Sequence, residues 1–223
     1  TIPILANVKL EVANGMLSVA ATDMEIGLVE STAADPASEA GVATAPAHTL
    51  YDIVRKLPEG AQVELVLDAE AERMIVRAGR SMFQLAVLPT ADFPSLADGP
   101  MPVGFSMAAR DLRTLIDRTR FAISTEETRY YLNGIYLHAA EHDGVKVLRA
   151  VATDGHRLAR AEAPLPDGAE GMAGVIVPRK AVGELRKLLD EAGDRDVSVS
   201  VSETKIRFAM DSVVLTSKLI DGA

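Results

Sequence analysis

The chain contains one pattern twice, and that constrains its fold more than any single motif. Leu5-Ala6-Asn7 followed by Ala20-Ala21-Thr22-Asp23-Met24-Glu25 returns as Leu132-Asn133-Gly134 followed by Val151-Ala152-Thr153-Asp154-Gly155-His156. An offset of 131 links Asp23 with Asp154, Leu57 with Leu188, Ile75 with Ile206 and Leu88 with Leu219, while Pro46 and Pro178 differ by 132. A duplication this long and nearly free of gaps means two copies of one domain in a pseudo-symmetric architecture. Each copy, at roughly 100 residues, is large enough to bury its own core.

Within a copy the reading is strand, strand, helix and a run of strands. Residues 4–12 and 16–22 read as strands joined at Asn14-Gly15, a dipeptide that favours the positive φ angles of a tight hairpin. Pro46 opens a helix reaching about Leu57, where Pro58-Glu59-Gly60 stops it. Alternation then marks strands around Val63, Leu65 and Leu67, around Met74 and Val76, and around Phe83, Leu85 and Val87. The second copy repeats the order: strands at 134–138 and 145–153 around Asp143-Gly144, a helix at 178–189, strict alternation of Val197, Val199 and Val201 with serines, and strands at 205–210 and 212–219. Segments 32–41 and 92–102, rich in Pro, Asp, Ala and Gly, read as loop and linker.

One element, a helix at 107–123, has no counterpart, because its equivalent falls before residue 1. The expectation is a piece of a longer protein, its first copy lacking an N-terminal helix.

Net charge is −9, which taken alone argues against nucleic acid. The distribution reverses the argument. The three predicted helices hold ten basic and four acidic residues, a net of +6 that leaves −15 for the rest. Arg110, Arg113 and Arg120 fall broadly on one face of the 107–123 helix, with Leu112, Leu115, Ile116 and Thr119 on another. In the last helix Val182, Leu185, Leu188 and Leu189 face a core and Arg179 and Arg186 lie opposite. Equivalent helices sharing one surface would merge into a positive wall that attracts phosphates without reading sequence. The competing reading is the ordinary exposure of charge by amphipathic helices.

There is no cysteine, which excludes disulfides, thiolate metal sites and a cysteine nucleophile and fits a reducing compartment. No apolar run is long enough for a membrane span, and the N-terminus does not read as a signal peptide, so a soluble, cytoplasmic chain is expected. Thr153-Asp154-Gly155-His156-Arg157 is the string most like an active site, since a His near an Asp invites a general base. Its counterpart keeps Thr22-Asp23 without a histidine, so it reads first as a structural turn. Of His48, His138, His142 and His156, only His138 and His142 are four apart, flanking a hairpin turn, which is poor spacing for a metal site. Arg129-Tyr130-Tyr131 puts two aromatics beside an arginine, a pattern suited to stacking on bases, although one tyrosine could equally pack under its loop.

Together these strings, with Gly79-Arg80-Ser81, Ala91-Asp92-Phe93-Pro94, Arg129-Tyr130-Tyr131-Leu132-Asn133-Gly134, Val151 through Ala159, Val175-Ile176-Val177-Pro178-Arg179-Lys180 and Thr216 through Gly222, resemble the bacterial β sliding clamps, processivity subunits of replicative DNA polymerase III. The resemblance covers essentially the whole chain. It implies an α+β DNA-clamp fold, with basic helices lining a ring bore and antiparallel sheets outside, in a head-to-tail homodimer of three-domain chains encircling duplex DNA. On this reading clamp domains lie at 1–98 and 104–223 and a third is absent, so the chain would not close a ring alone. The resemblance further implies a groove for short hydrophobic peptides of the polymerase, the clamp loader and repair proteins, matched here by Arg129, Leu132, Thr153, Gly155, His156, Arg157 and Leu158. DNA contacts match Tyr130, Tyr131, Arg179 and Lys180, alongside the helix arginines Arg110, Arg113 and Arg120. The strand with Phe83 and Leu85 matches a dimer edge. Glu126 stands where the family often has a neutral polar residue near DNA. No enzymatic activity, cofactor or metal is implied. The alternatives are a hydrolase using Asp154 and His156, and a purely structural oligomer.

Overall fold

Asn14 and Gly15 adopt φ of 51° and 75°, and Asp143 and Gly144 adopt 51° and 79°, so both copies begin with the tight hairpin their dipeptides favour. The computed structural model describes residues 2–96 and 99–222. Residues 97 and 98, inside the expected linker, and the expected domain limits Thr1, Asp98 and Ala223 lie outside the described residues. The chain divides into two compact units, Thr1–Ser95 and Leu96–Ala223.

In the first unit a 3-10 turn, Pro3–Ala6, leads into strands β1 (Asn7–Ala13), β2 (Met16–Thr22), β3 (Ile26–Ala33) and β4 (Gly41–Pro46). They form an antiparallel sheet in the order β4-β1-β2-β3. Helix α1 (Ala47–Val54) follows, then the meander β5 (Glu64–Asp68), β6 (Arg73–Ala78) and β7 (Ser81–Ala86). Leu10, Ala43, Ala45, Met74, Val76 and Leu85 make the core, with Leu50 and Ile53 of α1 packed on it. The buried Thr44 hydroxyl is fully used: it accepts from Asn7 Nδ2 at 3.1 Å and the Leu88 amide at 2.9 Å, and donates to the Leu88 carbonyl at 2.7 Å.

The second unit repeats this plan. Strands β9 (Gly134–His142), β10 (Val145–Thr153), β11 (Leu158–Pro164) and β12 (Val175–Pro178) form the sheet β11-β10-β9-β12. Helix α3 (Arg179–Ala192) and strands β13 (Asp196–Val201), β14 (Lys205–Met210) and β15 (Val213–Lys218) complete the copy. Two further elements precede it: strand β8 (Val103–Ala108), paired with β13, and helix α2 (Ala109–Asp117). The helices pack on each other, burying Leu112, Leu115 and Ile116 of α2 with Ala181, Val182, Leu185 and Leu189 of α3. Each such large side chain contributes about 1.5–3 kcal/mol of apolar burial.

Several expectations need correction. The helix expected at 107–123 spans only Ala109–Asp117, because Met107 and Ala108 pair with Val197 and Asp196, and the Ala109 amide donates to the Arg195 carbonyl. The Thr119 hydroxyl turns back to the Leu115 carbonyl at 2.7 Å, and a separate 3-10 turn, Arg120–Ala122, follows. The first helix stops at Val54, and the last runs to Ala192, where Gly193 takes a φ of 61°. The first strand begins only at Asn7, and β9 reaches His142. Strands β3, β4, β8, β11 and β12 were not expected; β4, Gly41–Pro46, is made of small residues without strong alternation.

From the helix onward the repeat register is 132, one more than the offset of the Thr-Asp turns. Met74 and Val76 are buried as Ile206 and Phe208 are, and Leu50 and Ile53 face inward as Val182 and Leu185 do, all at an offset of 132. An offset of 131 would pair outward Ile75 with buried Ile206, and a one-residue slip reverses the face of every side chain in a strand.

Among the described residues the first unit has no element in the place of α2 or β8. No residue of α1 is buried, and Tyr51, Val54, Leu65 and Leu67 are exposed. Phe83 is 38% exposed, whereas Leu215, which occupies its place in the second unit, is 1% exposed.

Candidate functional site

The Thr-Asp turns of the two copies agree atom for atom. In the first, the Thr22 hydroxyl donates to the Ile26 carbonyl at 2.7 Å and accepts from the Met24 amide at 3.0 Å. Asp23 Oδ1 accepts from the Glu25 and Ile26 amides at 2.9 and 2.8 Å. In the second, the Thr153 hydroxyl donates to the Arg157 carbonyl at 2.7 Å and accepts from the Gly155 amide at 3.1 Å. Asp154 Oδ1 accepts from the His156 and Arg157 amides at 2.9 and 3.0 Å. Side-chain caps of this kind satisfy amides that a tight turn leaves open.

The second turn carries further contacts from side chains outside it. The Arg157 guanidinium donates to Asp154 Oδ2 at 2.9 Å and lies 5.6 Å from the ring centre of exposed Phe121. Arg129 donates to the Asp154 carbonyl at 3.3 Å, which joins residues 126–132 to the turn. His156, Arg157 and Leu158 are exposed, while Leu132 and Thr153 are half-buried. Arg129, Gly155 and Arg157 are thereby brought together with Asp154.

Both carboxylate oxygens of Asp154 are committed. Two amides and the Arg157 side chain hold its pKa down to about 2, leaving a fixed anion with no bond to the His156 ring. That leaves no Asp–His dyad for general-base chemistry. The other histidine pair has structural partners: His142 Nδ1 lies 2.7 Å from Glu162 Oε2, and His138 stacks on Tyr136 with ring centres 4.7 Å apart.

The basic residues divide into two groups. Arg113 lies 3.2 Å from Asp190 and 3.7 Å from Asp117, and Arg120 lies 3.5 Å from Asp117. Arg186, expected on the outward face of α3, is only 13% exposed and sits 2.6 Å from both Asp117 and Asp190. These bonds hold Arg186 charged and pull the Asp190 pKa below its usual range. Three arginines around two aspartates leave a net charge of only +1, so this part of the expected positive wall is largely offset. Arg110 lies 3.8 Å from Asp111 on exposed surface.

The second group lines an open cleft of about 600 Å³ with Tyr130, Asn133, Ser124, Thr125, Arg179, Lys180 and Lys187 around it. The Arg179 amide donates to the Asn133 carbonyl at 2.8 Å, which fixes the 3-10 turn Tyr130–Leu132 against the start of α3. The helix N-terminus adds partial positive charge to that of the side chains. One acid, Glu184, pairs with Lys187 at 2.9 Å. Tyr130 and Tyr131 are both exposed and meet edge to face at 5.8 Å, so neither packs under the loop. Lys187 and Phe121 were not among the expected site residues. Lys187, seven residues after Lys180 and so on the same helical face, was legible; Phe121 carried no signal of its own.

Phe83 and Leu85 lie on β7, the outer strand of β5-β6-β7. Leu85 belongs to the core, so only the Phe83 side chain is accessible.

This architecture is shared with solved sliding clamps. A crystal structure of the sliding clamp from Bartonella birtlesii bound to griselimycin superposes with a TM-score of 0.93 at 52% identity, covering 100% of this chain and 59% of that one. The DNA polymerase sliding clamp from Caulobacter crescentus gives 0.94 at 50% identity, covering 100% and 60%. Among curated proteins, the beta sliding clamps of Caulobacter vibrioides and Escherichia coli K12 are 51% and 44% identical, each aligned over 100% of this chain. The chain spans 59% and 58% of their respective lengths. Residues 1–97 match the N-terminal domain and residues 106–223 the central domain of the DNA polymerase III beta subunit. The chain belongs to the DNA polymerase III beta subunit family.

Proposed function

We propose that this chain is the greater part of a sliding clamp that encircles duplex DNA and tethers the replicative polymerase, the clamp loader and repair proteins through a peptide groove on its second domain. The carrying observation is the turn at 153–157. It repeats the turn at 22–26 bond for bond, but alone has a glycine under Arg129 and an arginine stacked on an aromatic. Duplication explains the shared turn; the additions call for a binding role. Leu132, Leu158 and the Thr153 methyl would supply the apolar floor for Leu and Phe side chains, with Arg129, Gly155, His156 and Arg157 around it.

The cleft at Tyr130, Arg179, Lys180 and Lys187 supports a phosphate contact without base readout, as sliding requires. Domains at 1–98 and 104–223, a third domain, a head-to-tail homodimer through the β7 edge and a cytoplasmic, non-enzymatic role complete the reading. Among the described residues no helix is long and apolar enough to cross a membrane.

The test is a fluorescence-anisotropy titration with a Gln-Leu-x-Leu-Phe-type peptide, using Leu132→Asp as control. Saturable binding lost in the variant supports the groove. No binding, either to this chain or to one extended through a third domain, sinks it.

A further inference from the structure

Glu126 stands out because its carboxylate makes a two-point contact with Arg129, the side chain that hydrogen-bonds to the backbone of the turn. Arg129 Nε donates to Glu126 Oε2 at 2.8 Å, and Arg129 Nη2 lies 2.7 Å from Glu126 Oε1. The same Nη2 donates onward to the Asp154 carbonyl. Gly155, with a φ of +90°, lies directly beneath: a Cβ there would stand 2.6 Å from Arg129 Nη1. The segment is closed at its base as well, since the Ser124 amide donates to the Leu132 carbonyl at 3.0 Å and the Glu126 amide to the Ser124 hydroxyl at 3.1 Å.

We propose that Glu126 is a positioning residue of the peptide groove, holding Arg129 across Gly155 so that the turn at 153–157 keeps its receiving shape. This inference rests on the groove reading above. Both ends of Glu126–Arg129 are substantially exposed, and an exposed ion pair contributes little to folding. Its value lies in orientation: a planar fork with two fixed bonds has few ways left to point its remaining N–H groups. One such group meets Asp154, and the guanidinium covers the only residue of the turn that has no side chain. The Glu126 charge is thus met by the Arg129 guanidinium three residues along the chain. The Arg129 hydrogen bond also holds the Glu126 pKa below its usual range, which keeps the carboxylate ionised and able to accept both bonds.

The experiment uses this chain with Glu126→Gln, Glu126→Asp, Arg129→Lys and the Gln/Lys double variant. Amide hydrogen exchange over residues 153–158 and affinity for the Gln-Leu-x-Leu-Phe-type peptide are both measured. Glu126→Gln and Arg129→Lys should each speed exchange and weaken the peptide by about threefold to tenfold, with the double variant no worse than either single, as expected for two members of one unit. Glu126→Asp should recover most of the loss. Unchanged exchange in Glu126→Gln, or single effects that simply add, overturns the proposal whether or not peptide binds. Faster exchange in a chain that never binds peptide refutes the groove while leaving the brace on the turn in place.

Discussion

Gly155 shows how one position carries both conformation and contact. Its φ of +90° disfavours any side chain, and Arg129 fills the space a methyl group would need. Gly155→Ala should cost about 1–2 kcal/mol in backbone strain and push Arg129 off Asp154, read as a lower urea midpoint and weaker peptide binding. Asp154 supplies a pH signature. Its pKa is depressed from 3.8 to about 2, so the folded state favours the carboxylate and the native turn is stabilised above pH 3.8. That stabilisation falls away as pH drops through about 2. The His156 and Arg157 amide resonances should therefore keep their native shifts at pH 4 and move only toward pH 2, whereas a carboxylate with its ordinary pKa would already be half titrated near 3.8.

At the level of elements, the two copies of one helix differ in what covers them. Helix α3 buries Leu185 to 1% exposure against α2, while no residue of α1 is buried. Leu185→Ala should cost about 3 kcal/mol through lost burial and a residual cavity, whereas exposed Tyr51→Ala should stay within about 0.5 kcal/mol. Arg186 ties the two helices of the second unit through Asp117 and Asp190. Arg186→Ala removes the closest cation from both carboxylates, leaving them only the longer contacts to Arg113 and Arg120, and should destabilise the unit by about 2 kcal/mol in chemical denaturation. The arginines of this cluster therefore contribute more to holding α2 on α3 than to an external field.

For the whole molecule, the relevant charge is the local set at the cleft, since the chain as a whole is at −9. Replacing Arg179 and Lys180 by Glu should weaken duplex binding alike for all sequences and lower the slope of log affinity against log salt by about 2. An unchanged slope would remove these residues from the DNA contact. Arg113→Gln should change that slope much less, because its charge is already met by Asp117 and Asp190.

The sequence by itself determined the duplication, the hairpins at Asn14-Gly15 and Asp143-Gly144, the apolar stripe of Leu112, Leu115 and Ile116, and the structural nature of the Thr-Asp turns. The duplication is read by comparing the two halves, and the others are set by interactions within a few residues, where backbone preference and side-chain period act directly. Tertiary structure decided the rest. Strand pairing set the register of the strands after the helix at 132 while the Thr-Asp turns kept 131, and it claimed Met107 and Ala108 from a helix, because only cross-strand bonds reveal which face turns inward. The packing of α2 on α3 turned Arg186 from an outward charge into a brace. Arg129 met Asp154 and Gly155 only because residues 25 and more apart were folded onto one turn.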